Sequence, residues 1–169
     1  MATTARAMGP TARARGRATL GRARGRSARP RVDARAVDAA VALAVAQQDV
    51  AFAACALGEA LVTRENTATG TPGRPNLMVV GPACGTLVGA FALIQSDDGT
   101  ATPAGLAIAA AASGALLVQY AKRFDDTPRA PLEWPGPRLY PTLGVMFSLF
   151  ALLANAEALP RILNPLAVG

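Results

Sequence analysis

Asp38, Asp49 and Glu59 are acids set ten or eleven residues apart in otherwise apolar sequence. At about 100° per residue they fall, together with Gln48, within about 100° of one another on a helix. Such a stripe has one direct use in chemistry, an acidic path for ions between helices. Other routes to chemistry are narrower. The chain contains no histidine, which removes the commonest general base, the commonest transition-metal ligand and the usual axial ligand of haem. Ser27, Ser96, Ser113 and Ser148 have no base to activate them. The run GPACGTLVG (Gly81–Gly89) lacks the lysine of a phosphate-binding loop. Asp97-Asp98 and Asp125-Asp126 are adjacent pairs in loop sequence, read as solvated acids, with a weak divalent-cation site as the alternative. Cys55 and Cys84 lie inside apolar runs without metal-ligand spacing and are expected to be packing residues. The expectation is therefore a protein that is not an enzyme, with no catalytic residue, no metal site and no cofactor.

The elements that position these residues are apolar and long. Leu77–Gln95 is nineteen residues without a charge, and Pro103–Ala121 is nineteen more. About twenty apolar residues at ~1.5 Å rise cross a hydrocarbon core of ~30 Å. The two runs predict a transmembrane hairpin joined by the acidic connector 96–102. Gly81, Gly85 and Gly89 share one face of the first helix, and Ala107, Ala111 and Ala115 share one face of the second. Small residues at four-residue spacing let helices approach closely in lipid, so these six are the expected packing residues, within the hairpin or against a partner. Pro82 stands one turn into the first helix, where a missing amide hydrogen matters least.

Around the hairpin, Val37–Val62 predicts an Ala-rich helix that either spans or lies along the surface with its acidic stripe in water. Arg64–Asn76 reads as a loop. Lys122 and Arg123 are expected to stop the second span, and Lys122–Tyr140 to form a surface loop with Trp134 and Tyr140 at the lipid interface. Pro141–Ala158 predicts a short last span, after which Pro160 and Pro165 break the tail. The fold class expected is all-α: a bundle of three to four membrane helices, about 37–62, 77–95, 103–121 and 141–158, after a disordered N-terminal leader. Residues 64–76 and 122–140 carry the positive balance and 96–102 the acids, so the charge rule puts both basic loops in one compartment, stroma or matrix.

The leader carries the chain's basicity. Of seventeen Lys and Arg, ten are arginines between Arg6 and Arg35, while residues 36–169 hold seven bases and ten acids. The +6 net charge thus belongs to one end, and the first aromatic is Phe52. A folded basic face with interleaved aromatics is missing, so no nucleic-acid partner is expected. Residues 1–35 lack the apolar stretch of a secretory signal and are read as an organelle transit peptide, plastid before mitochondrion. Processing would fall near Val32–Ala34 or Ala34–Ala36. A retained basic arm binding anionic lipid or RNA is the alternative.

An internal echo adds to this. FAACALGEAL (Phe52–Leu61) and FALLANAEAL (Phe150–Leu159) agree at six of ten positions, with Phe and Glu at the same offsets. In the first copy, AFAACALGEALVT resembles the close of the membrane helices in light-harvesting-complex-like proteins, among them early-light-induced proteins and the photosystem II S subunit. Their pattern runs Gly-Phe-Ala-Ala-x-x-x-Gly-Glu-Ala-Leu-Thr-Gly. That family repeats this helix, enters through a transit peptide and binds chlorophyll through a glutamate five residues before an arginine. The matching positions here are Val41 and Ala46, so that hallmark is missing; Glu133 and Arg138 have the separation but lie among prolines. The family also ends its first helix in the lumen, opposite to the charge rule. The resemblance implies chlorophyll as an alternative cofactor, with Glu59, Glu157 and Asn155 as its ligands and Gln95 and Gln119 as further oxygen donors. The function expected overall is an accessory or assembly subunit of a larger photosynthetic membrane complex in the thylakoid. A light-harvesting-like pigment or photoprotective protein and a small transporter or channel are the alternatives.

Overall fold

A computed structural model describes residues 34–96, 98, 100–130 and 136–164. These form four helices: α1 (Ala34–Asn66), α2 (Leu77–Ile94), α3 (Ala101–Asp126) and α4 (Leu139–Leu163). There is no strand among the described residues. The leader expected over 1–35 lies almost wholly outside them, as do Trp134 and Pro165. Each helix packs on the next, α4 packs back on α1, and α1 and α3 sit diagonally with few contacts. This is the up-down-up-down four-helix arrangement that short connections favour.

All four helices are long and apolar enough to cross a membrane. Their exposure pattern agrees: Val88 is 50%, Leu153 56%, Phe150 59% and Val118 69% exposed. Large apolar side chains on the outside, with Asp49 and Arg123 buried inside, invert the distribution of a water-soluble bundle. The chain is an integral membrane protein. The first segment is one of its spans: two of its acids, Asp49 and Glu59, meet partners on α4 and α3, while Gln48 is exposed and Asp38 half-buried.

Both ends of the hairpin are set locally. Asn76 caps α2, its side chain accepting from the Met78 amide at 3.1 Å. Before α3, Asp98 Oδ1 accepts from the Thr100 amide at 2.9 Å and the Thr100 hydroxyl at 2.8 Å. Those bonds hold the Asp98 carboxyl below its ordinary range, the amide bond contributing most.

Three boundary expectations are corrected. The second helix does not end at Ala121; α3 continues to Asp126, with Lys122 exposed and Arg123 turned inward and paired with Glu59. The last helix is not short. It runs from Leu139 to Leu163 straight through Pro160, and Leu159 and Ile162 on either side of that proline pack against the Ala42–Ala46–Ala158 cluster. That packing offsets the amide bond Pro160 cannot make. The first helix also extends past Val62 to Asn66, closed by the Asn66 side chain donating to the Val62 carbonyl at 2.9 Å.

The larger correction concerns small residues. The hairpin does not meet through Gly81, Gly85, Gly89, Ala107, Ala111 and Ala115. Gly85, Gly89 and all three alanines are exposed, and a Cβ at any of the three glycines would meet nothing within 4 Å. Val80, Ala83, Leu87 and Ala90 of α2 are buried instead, in one core with Ala109, Ala112 and Leu116 of α3 and Ala53, Ala56 and Ala60 of α1. The close approach occurs at Gly105, where a Cβ would stand 2.7 Å from Ile94 Cγ1 and 2.9 Å from the Ala90 carbonyl oxygen. Small residues still make the close approach, as lipid packing favours, but they are Ala83, Ala90, Gly105, Ala109 and Ala112 on another face of each helix.

Candidate functional site

Two polar clusters lie inside the bundle and tie its helices together. The first joins α1, α3 and the connector between α1 and α2. Glu59 comes from the last third of α1, and Arg123 from the end of α3. The Arg123 guanidinium donates to Glu59 Oε2 and Oε1, each at 2.8 Å, a two-pronged clamp. Its Nε donates to the Gly73 carbonyl at 3.0 Å. Thr63 donates to Glu59 Oε1 at 2.7 Å, and the Tyr120 hydroxyl reaches Oε2 at 3.3 Å. Arg123 is 3% exposed and Glu59 14%. A charge pair this buried needs further hydrogen bonds to offset its desolvation, and Gly73, Thr63 and Tyr120 supply them here.

The backbone around the clamp is shaped for it. Gly73 sits at φ 79°, and a Cβ there would collide with the Thr127 side chain. Tyr120, one turn before Arg123, lays its ring directly on Gly144 of α4, where any side chain would overlap the ring. Arg123 in turn stands 5.2 Å from the Tyr120 ring centroid. One turn of α3 therefore fixes three neighbours at once. Arg138 Nε donates to the Thr127 carbonyl at 2.8 Å within the α3–α4 connector, and Thr127 lies against Gly73 of the α1–α2 connector, so both basic connectors meet at one end of the bundle.

The second cluster lies near the middle of α1. Asp49, 1% exposed, accepts from Asn155 Nδ2 of α4 at 2.8 Å. The same nitrogen donates to the Ala151 carbonyl at 2.9 Å. Asp49 Oδ1 and Asn155 Oδ1 are buried with no partner, as is Ser113 Oγ on α3. A buried polar group left unpartnered costs about 1–3 kcal/mol, more when charged.

The lipid-facing side of the α1–α4 seam opens into a groove of about 320 Å³ lined by Gln48, Phe52, Cys55, Phe147, Phe150 and Ala151. Phe52 and Phe147 form its wall, ring centroids 6.5 Å apart. A second hollow continues past Phe52, Cys55 and Phe147 to Glu59, Tyr120 and Tyr140.

Of the candidate ligand residues, Glu59 has both oxygens engaged by Arg123, and Asn155 is engaged by Asp49. Glu157 is exposed and paired with Arg161 on its own helix. The structure does not bring these three into one site. The echoed segments lie on α1 and α4 but not side by side: Asn155 and Ala158 of the second pack at Asp49 and Ala42–Ala46, whereas Glu59 of the first shares a hollow with Tyr140, Leu143 and Gly144. Their glutamates play unequal parts, one clamped inside and one outside. Asp49 and Glu59 share a helix face about 15 Å apart, separated by the buried Ala53 and Ala56. They belong to two clusters, not one continuous path. Among the described residues no three His, Cys, Asp or Glu side chains group as a metal site. Cys84 is buried and Cys55 exposed to the groove.

Sequence reasoning missed Arg123, Asn155 as a partner, and the contact glycines Gly105 and Gly144. Some signal existed. Asn155 is the one carboxamide within α4, and an acid buried on one helix requires a donor on another. Nothing in spacing distinguished Gly105 and Gly144 from the outward glycines. No family model, curated protein or solved structure matches the chain.

Proposed function

We propose that this protein is a non-enzymatic accessory or assembly subunit of a larger photosynthetic membrane complex in the plastid, held in the thylakoid bilayer. The observation that carries the reading is the outward face of α2. With the four-helix bundle complete, Gly81, Gly85 and Gly89 still have open space at every Cβ position. In lipid a smooth helical face with no internal use is suited to the close approach of another protein's helix. The flanking Ala107, Ala111 and Ala115 on α3 add a second exposed small-residue strip. The interior supports the same view. The Glu59–Arg123 cluster, with both carboxylate oxygens engaged, is spent on joining the protein's own helices. Plastid import is supported by the arginine-rich, acid-poor residues 1–35.

The pigment-binding alternative draws its support from the aromatic groove beside Phe52 and Phe147, and pigment co-purifying with protein made in chlorophyll-containing membranes would favour it. Glu59 is poorly suited as a ligand while Arg123 holds both its oxygens. The transporter alternative has less support, given the apolar packing between Asp49 and Glu59.

The test of the subunit reading is Gly85→Leu. A side chain there meets nothing within the bundle, so the variant should accumulate in membranes and keep its thermal stability while its large complex on a native gel disappears. A variant that still migrates in the same complex contradicts docking through this face.

A further inference from the structure

The Asp49–Asn155 contact is short of one donor. The Asn155 amide has two hydrogens; one goes to Asp49 Oδ2 and its nitrogen also serves the Ala151 carbonyl. That leaves Asp49 Oδ1 and Asn155 Oδ1, two acceptors on neighbouring groups, buried with nothing to accept. The contact is also short of a positive charge. No Asp, Glu, Lys or Arg stands in α2. On α4 the charges are Glu157 and Arg161, which pair with each other on the exposed side. On α3 the first base is Lys122, far along the helix, and Arg123 is committed to Glu59. On α1 itself the nearest described charges are Asp38 and Glu59, eleven residues before and ten after, both of the same sign as an aspartate.

Three additions would fill the vacant oxygens: a water, a metal ion or a proton. Water supplies hydrogens but leaves the charge. A hard cation takes about six or more oxygens, and no group of acidic ligands stands here. A single proton supplies both the missing donor and the missing charge. We propose that the Asp49–Asn155 pair is a proton-binding site inside the membrane. A proton forms an O–H bond at Asp49 Oδ1, which becomes the donor that Asn155 Oδ1 lacks, and the α1–α4 seam carries no net charge while it is loaded. The pair stands behind the groove, whose lining includes Gln48 and Ala151, the one adjacent to Asp49 in sequence and the other bonded to Asn155. The pair is thereby a reversible store for one proton at bilayer depth, with hydrogen ion as its ligand.

Infrared spectroscopy of the full chain in lipid bilayers, with isotope-labelled aspartate, reads this state directly. At neutral pH the labelled protein should show one protonated-carboxyl carbonyl band, lost entirely in Asp49→Asn. Carboxylate bands alone, or a protonated band that survives the substitution, would overturn the proposal. If that variant does not assemble, Asn155→Ala keeps the acid and should shift the band to the position of a free carboxyl group; an unmoved band is contrary. Exchanging potassium for sodium at fixed pH should leave the band intact. Loss of the band in sodium would assign the site to a metal ion and overturn the proposal as well.

Discussion

A base following an apolar helix can reach for water or turn back into the bundle, and Arg123 turns back. It is rewarded by both oxygens of Glu59 and by the Gly73 carbonyl, three acceptors arranged to the fork of a guanidinium. Lysine has no such fork. Breaking a buried pair by removing one partner strands the other, at about 3–5 kcal/mol. Arg123→Ala and Glu59→Ala should therefore each lower thermal stability strongly, and Arg123→Lys should recover only part. The double Ala variant should lose less than the sum of the singles, because neither charge is left stranded. Additive losses in detergent-solubilised protein would show that the pair is not coupled. The sequence made this residue hard to place. Lys122 and Arg123 read together as a stop signal, and only the fold separates them, one exposed and one buried.

At the scale of the helix, length and apolarity made the four elements legible, since a run of nineteen uncharged residues has few homes outside lipid. Which face of each helix points inward was far less legible. In a soluble bundle polarity marks the outer face; in a membrane bundle both faces are apolar, and the contrast that remains is one of size and shape. Spacing singled out Gly81, Gly85 and Gly89, yet the contacts that demand glycine are Gly105 against Ile94 and Gly144 against Tyr120. The acidic stripe of α1 was the better guide, because burying Asp49 and Glu59 without partners is costly and the bundle had to supply them. Substitutions should sort accordingly. Gly144→Leu displaces the Tyr120 ring and with it the anchor of Arg123, and Gly105→Leu forces α2 and α3 apart. Overpacking of this kind costs about 1–3 kcal/mol. Both should lower the melting temperature of the solubilised protein, whereas Gly81→Leu should change it little. Equal effects at all three sites would contradict the assignment of inner and outer faces.

For the molecule as a whole, four crossings place the beginning of α1 and the end of α4 on one side. The basic connectors 67–76 and 127–138 then share the opposite side, where Gly73 of one lies against Thr127 of the other and Arg123 bonds the Gly73 carbonyl. The Asp98 connector lies on the same side as the beginning of α1 and the end of α4. That arrangement is the central claim, since a surface-lying first helix would leave Asp49 and Glu59 in water and dissolve both interior clusters. Single cysteines in a cysteine-free background, treated with a membrane-impermeant maleimide in sealed vesicles, measure it directly. Thr69→Cys and Arg129→Cys should label from one side, and Ser96→Cys and Asn164→Cys from the other, all four positions being exposed. Labelling of Asn164→Cys from the same side as Thr69→Cys would contradict a final crossing by α4 and, with it, the four-helix account.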